Sequence, residues 1–463
     1  MKKRLFAMFL SVVMLAAVFS GCGKTTESGQ TDSDISSIVS SEEQTTNVDN
    51  SNDGVSSSEN QTTNNNSSSV NSSIDYEKLK GTTVKVLMWR ELTEQEEKTI
   101  ASFEKKYSMK VKVDFADQGS YTTKIASMVA TKDSPDVAII PMSQSSQGCF
   151  PIGAASIYQP CEVSKQDLND EFWDKAAMAN YKLKGKPYAF IAYNNWYNST
   201  AVLMYNADMF KADGITTPYD LWKAGNWNWD TLKSTAEALK KKGHKYGLVV
   251  NQVNNYMGSA NTDFVTYDGS KFTSSITDTK TVKAWTFNSQ MVAAGLQPVY
   301  GTDINAFKNG EAGMFSSNTW VFRKEGLLNS CKFEVMGVPF PSPAGEETVI
   351  SVSSNLFAIP KGAKNAVAGG VFIRFFLDSA NNGDFSQISI NPKLEEVFNY
   401  FQGKNLKKHY MMSSGVIGYS NLASLKALYD ELNSTTASQV TTVLQKNKSL
   451  VDNTVNSINS KLK

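Results

Sequence analysis

From about Tyr76 onward, short apolar β-rich runs alternate with stretches of helical period. The run "TTVKVLMW" (82–89) predicts a strand. "TEQEEKTIASFEKKY" follows it, with Ile100 and Phe103 on one helical face and Thr93 and Glu96 spaced as a capping box. "KVKVDFA" alternates like a strand, "YTTKIASMVATK" has a helical period, and "SPDVAII" opens another strand. A second set repeats the scheme with "TAVLMYN", "NWDTLKSTAEALKKK", "KYGLVV" and "KTVKAWTFNSQMVAAG". In its first helix Asn228 is a good N-cap, and Trp229, Leu232, Ala236 and Leu239 line the apolar face. Strands alternating with helices predict an α/β fold of parallel sheets with crossover helices. Two such sets in succession predict two lobes.

The N-terminal stretch follows different rules. Lys2, Lys3 and Arg4 precede the apolar run Leu5–Phe19, which is too short to span a bilayer and reads as a secretory signal over residues 1–21. The ending "VFSGCGK" resembles a bacterial lipobox, with Phe19 where that pattern prefers Leu, and makes Cys22 the expected lipidation site. Residues 23–75 contain no aromatic and one basic residue, Lys24. Such a composition cannot bury enough apolar surface to offset ordering entropy, so residues 22–75 read as a disordered tether. The remaining three cysteines are Cys149, Cys161 and Cys331. A Cys149–Cys161 disulfide is permitted outside the cell.

Net charge is +1, which gives no support to nucleic-acid binding. No later apolar run is long enough to cross a membrane, so a lipid anchor is the expected membrane contact. The two histidines, His244 and His409, have no companions at metal-ligand spacing. No nucleophile elbow or phosphate loop is present. No catalytic residue, metal or cofactor is therefore expected.

The chemistry on offer is aromatic faces beside neutral amides. "IAYNNWYNST" (191–200) holds three aromatics and three asparagines with no charge. A sugar ring presents a C–H face that packs on Trp or Tyr, and hydroxyls that need partners once buried. Amides supply both a donor and an acceptor. Asn194, Asn195, Trp196 and Tyr197 are accordingly candidate ligand residues. Trp89 joins them at the end of the first strand, as do Asn255 and Tyr256 after "YGLVV". Loop candidates are Gln118, Ser143, Gln144 and Asn355. Trp173, Trp222, Trp227, Trp229 and Trp285 read as structural.

The order of these pieces resembles bacterial extracellular solute-binding proteins of the carbohydrate group, relatives of maltose-binding protein that serve ABC importers. The matching stretches are "VKVLMWRE", "SPDVAII", "GKPYAFIAYNNWYNSTAVLMYNADMFKADGI", "WNWDTLKSTAEALKKKGHKYGL", "FKNGEAGMFSSNTW" and "NLFAIPKGAKN". The resemblance implies a two-lobed periplasmic-binding-protein-like fold of type II, with hinge crossings and a helical C-terminal part. It places lobe one at 76–192 with 345–390, and lobe two at 193–344 with 391–463. It puts the ligand between the lobes and brings Trp320, at the end of "FSSNTW", into the cleft. The function it implies is capture of a neutral sugar or oligosaccharide by a monomeric lipoprotein on the extracytoplasmic face of the cell membrane, for delivery to permease subunits. A surface glycosidase would need two carboxylates flanking a bond, and no such pair stands out. A charged solute on the same fold would need a charged cluster, which the candidate site lacks.

Overall fold

The computed structural model describes residues 74–141, 156–193, 197–251, 253–299, 305–322, 330–383, 391–411 and 426–462. All of them fall within one compact unit, Asn64–Lys463. Cys22 and residues 23–73 of the expected tether lie outside the described residues, whereas Ile74, expected in the tether, is buried in the core.

The first strands along the chain are β1 (Thr83–Met88), β2 (Lys110–Phe115), β3 (Val137–Ile140), β4 (Tyr158–Gln159), β5 (Lys182–Leu183) and β6 (Lys186–Pro187). Then come β7 (Asn198–Asn206), β8 (Tyr246–Val250), β9 (Val265–Tyr267), β10 (Phe272–Ser274) and β11 (Ala312–Asn318). The last are β12 (Val335–Pro339), β13 (Val349–Ser354), β14 (Leu356–Pro360) and β15 (Lys407–Tyr410). One sheet has the order β2-β1-β3-β14-β4, and another the order β15-β13-β7-β11-β8, with β12 also on β7. The hairpins β5–β6 and β9–β10 stand apart.

The expectation of parallel sheets needs correction. β1 runs parallel to β2 and β3, and β8 parallels β11, but β14 is antiparallel to β3 and β4. β7 is antiparallel to β11, β12 and β13. The reversed strands are those next to the places where the chain passes between sheets. β13 lies in the second sheet, beside β7 and β15, so the chain returns to the first sheet at Asn355 and not near residue 345. Lys407–Tyr410, within the part expected to be helical, forms the edge strand β15.

Local signals account for the helices. Helix α1 (Glu94–Tyr107) starts with the capping box of Thr93 and Glu96, and buries Phe103 against Phe372 and Phe375 of the helix Ala366–Leu377. Helix α2 (Tyr121–Ala130) buries Tyr121 and Ile125. Asn228 caps the helix Trp229–Lys241, which buries the four apolar positions read from its period. That helix lies so close to β8 that a Cβ on Gly247 would stand 2.5 Å from the Cα of Ala236. Only glycine permits this approach.

Trp229 is a packing residue. Its ring stacks on Phe287 with centroids 4.7 Å apart, and its indole N–H donates to the carbonyl of Pro341 at 2.8 Å. Trp173 and Trp285 are buried, and Trp227 donates to the carbonyl of Pro339. Cys161 carries a free buried thiol whose pKa burial pushes up, while Cys149 lies outside the described residues. Truncating Trp229 to Ala should destabilise the protein by about 4 kcal/mol. Denaturant unfolding monitored by circular dichroism checks this, and an unchanged midpoint would contradict the assignment.

Candidate functional site

Strand direction assembles the site. β1, β2 and β3 are parallel, so their carboxyl ends share one edge of the first sheet, and β14, being antiparallel, begins at that same edge. Trp89, the turn Asp117–Ser120 and Asn355 therefore sit along one rim. In the second sheet β8, β11 and β13 end where β7 begins, which gathers Asn251, Asn318, Trp320 and Ser354 around Asn198. Open α/β sheets bind ligands at such strand ends.

The passage between sheets is stitched by amides. The Asn355 backbone N–H donates to the Tyr197 carbonyl at 2.9 Å, Ser354 Oγ to Asn198 Oδ1 at 2.9 Å, and Asn198 Nδ2 to the Ala192 carbonyl at 3.0 Å. Next to this seam lies a buried charge. Glu96, 5 % exposed, accepts from both Arg90 guanidinium nitrogens at 2.7 and 2.6 Å and from the Thr93 N–H at 2.8 Å. The Tyr197 hydroxyl also donates to it. Burial opposes ionisation of Glu96, but the Arg90 pair and these donors overcome it and hold its carboxyl below the usual value. The Arg90 guanidinium in turn lies 5.3 Å from the ring centroid of Trp89, a cation–π distance.

The expected ligand residues divide into three groups. Trp89 and Trp320 are half-buried at the strand ends, Gln118 is exposed in its turn, and Asn355 is half-buried at the crossing. Trp320 sits on the short 3-10 turn Thr319–Phe322, which is pinned by the Thr200 N–H donating to Thr319 Oγ1 at 3.1 Å. Ser143, Gln144, Asn194, Asn195 and Trp196 lie outside the described residues.

The third group is corrected by its burial. Tyr197 is in the core, edge-on to Phe357 at 4.9 Å. Tyr256 is enclosed by Trp229, Phe287 and Phe340, and donates to Gln297 Oε1 at 2.7 Å. Asn255 donates to Ser316 Oγ and the Ser317 carbonyl, both at 3.2 Å. Protein atoms already cover these three side chains, so they are packing residues and not open faces. The short helix Asn254–Ser259, which follows β8, turns Asn255 and Tyr256 inward.

Asn318 was missed. It is 7 % exposed, and its side-chain oxygen has no hydrogen-bond partner among the described residues. It stands two positions before Trp320, and "SSNTW" carries the same amide-beside-aromatic signal as "YNNWYN".

A cavity of about 460 Å³ opens on the other flank, between residues 174–193 and the strands β9 and β15. Lys408 pairs with Asp174 across it at 3.0 Å, and nearby Lys404 pairs with Glu171 at 2.8 Å. Both ammonium groups also lie over the Tyr193 ring, at 5.2 and 5.7 Å. With its cations paired and this aromatic face covered, the cavity is a polar joint and not a stacking site. His409 borders it, and burial holds its pKa down to about 4, so the ring is neutral at pH 7.

With this geometry, the chain matches the family model of bacterial extracellular solute-binding proteins over residues 98–408, and it belongs to that family. Membership places its work outside the cytoplasm. Solved structures share the fold at low identity. The cyclic α-maltosyl-1,6-maltose binding protein of Arthrobacter globiformis aligns at 15 % identity and TM-score 0.62, covering 83 % of this chain and 99 % of that one. A Staphylococcus aureus extracellular solute-binding protein solved with maltose aligns at 14 % and 0.61, covering 82 % and 99 %. A Mycobacterium tuberculosis protein solved with glycerophosphocholine aligns at 15 % and 0.59, covering 81 % and 99 %. No curated protein matches the sequence.

Replacing Glu96 with Gln removes one partner of a buried ion pair and should cost about 3 kcal/mol at pH 7. The folded-state pKa lies below the unfolded one, so the carboxylate stabilises above the unfolded value near 4.5. That contribution is lost as pH falls through the folded value. Unfolding free energies of wild type and E96Q should therefore converge in acid. A gap that stays constant down to pH 3 would refute the assignment.

Proposed function

We propose that the protein captures a neutral sugar or oligosaccharide between its two lobes and delivers it to the permease of an ABC importer. The observation that carries this reading is the uncharged set at the strand ends of the two sheets: Trp89, Asn318, Trp320 and Asn355. Trp320 and the face of Trp89 turned away from Arg90 supply packing surface, and the amides meet hydroxyls without demanding a charge. Ser143, Gln144, Asn194, Asn195, Trp196 and Gln118 complete the proposed contacts. The Arthrobacter and Staphylococcus relatives, whose ligands are maltose-type saccharides, support the choice of ligand class. Glycerophosphocholine, the ligand in the Mycobacterium structure, carries a phosphate and a quaternary ammonium, and the four residues named offer neither a cation nor an anion to meet them. On this reading the protein is a binder and not a hydrolase, and its site needs no metal or cofactor.

Trp196→Ala and Trp320→Ala should each weaken saccharide binding about thirtyfold, near 2 kcal/mol, as for a buried aromatic anchor. Trp229→Ala should bind normally once folded. Calorimetric titration against a panel of neutral oligosaccharides decides this. Normal affinity in both anchor variants would remove them from the site, and product shorter than the added saccharide would overturn the binder reading.

Anchoring is proposed through Cys22, on the small residues before it and the polar tether after it. Metabolic labelling with a fatty-acid analogue should mark the wild type and leave Cys22→Ala unlabelled. Label retained in the variant would count against lipidation there.

A further inference from the structure

The site proposed above leaves Phe115 without a role. Among the described residues, the exposed large hydrophobic side chains are Phe115, at 48 %, and Val299, so Phe115 is the one exposed aromatic ring of that group. It ends β2 opposite Met88 of β1, and the next N–H, that of Ala116, still donates to the Met88 carbonyl at 2.8 Å. The two strands thus stay paired up to the rim where Trp89 leaves β1. Val111 and Val113, on the same face of β2, pack against the core, so the apolar face is covered until Phe115 and bare there. A tight turn follows. Asp117 accepts from the Gly119 N–H at 2.8 Å with its carboxylate and from the Ser120 N–H at 3.1 Å with its carbonyl, and the turn presents Gln118 at the surface.

Position adds a length. β2 is the outermost strand in the order β2-β1-β3-β14, and β14 follows the crossing residue Asn355. Three strand spacings of about 4.8 Å place Phe115 about 14 Å from the crossing strand along the rim. A hexose at the crossing cannot cover that distance, so one ligand that touches Asn355, Trp89 and Phe115 together must run along the whole rim. A chain of sugars can.

We propose that Phe115 and Gln118 form an outer subsite that stacks and hydrogen-bonds a distal unit of a neutral oligosaccharide of roughly three or more units, given that strand spacing. This rests on the saccharide reading above and deepens it, because it selects against monosaccharides. A bare aromatic face gains by covering a C–H face, and the glutamine amide offers a donor and an acceptor to the hydroxyls beside it.

The test is calorimetric titration of wild type, Phe115→Ala and Trp320→Ala with neutral gluco-oligosaccharides from one to seven units, in α-1,4, α-1,6 and β-1,4 linkage, beside thermal melting. Wild-type affinity should rise with length. Phe115→Ala should keep its melting temperature, bind mono- and disaccharides within about twofold, and lose about tenfold or more for the longest chains, while Trp320→Ala weakens every length. Equal loss at every length would place Phe115 in the central site and overturn the proposal. So would no loss at any length, a lower melting temperature with unchanged binding, or wild-type affinity that does not grow with length. Wild type that binds none of these saccharides would instead sink the saccharide reading itself, and the subsite with it.

Discussion

A single buried carboxylate ties the loop after β1, the cap of α1 and the start of β7 to one another. Glu96 belongs to the first turn of α1, yet its oxygens receive Arg90 from the loop after β1, Thr93 from the helix cap and Tyr197 from the start of β7. An isolated charge at that depth would be prohibitively desolvated. With its donors in place it becomes a rigid node, because each donor must hold its position for the charge to be tolerated. Trp89 inherits its setting from Arg90, which lies over its ring. The crossing inherits its setting from Tyr197, whose carbonyl receives Asn355 from the returning strand. The aromatic rim and the joint between sheets are therefore fixed by the same electrostatic requirement.

Much of the fold was legible because its signals are local. The capping box of Thr93 and Glu96, the Asn228 cap and the apolar periods of α1 and Trp229–Lys241 need only neighbours in sequence, and each formed as read. Strand direction is not local. "TAVLMYN" carries no mark that β7 would run against β11, β12 and β13, since direction depends on which edges are free when the strand arrives. Nor does "VISVSSNLFAIP" show that its two halves join different sheets, because the apolar pattern runs through both. "LKKHYMM" hides β15 for another reason. Its charged residues suit an edge strand whose lysines Lys407 and Lys408 reach to Glu347 and Asp174, and such a strand lacks the apolar signature of a buried one.

The candidate site was legible in composition and less so in orientation. Aromatics beside amides drew attention to strand ends, but composition cannot say which ring faces solvent. Tyr197 and Tyr256 proved to be core because their hydroxyls find Glu96 and Gln297 inside the protein. Phe115 looked like an ordinary apolar strand residue, and only its place at the end of an edge strand leaves it bare. Asn318 carried the same local signal as the stretch around Trp196 and could have been found by it.

The late arrival of β14 has a consequence for biogenesis. The first sheet begins with β1, β2 and β3, which end by Ile140, but β14 lies between β3 and β4 and is not made until Leu356–Pro360. The helix that covers this sheet, Ala366–Leu377, comes later still. Contacts so distant in sequence form slowly, because a long loop must close before any burial repays it. A chain emerging from the ribosome therefore holds an incomplete first sheet until most of its length exists.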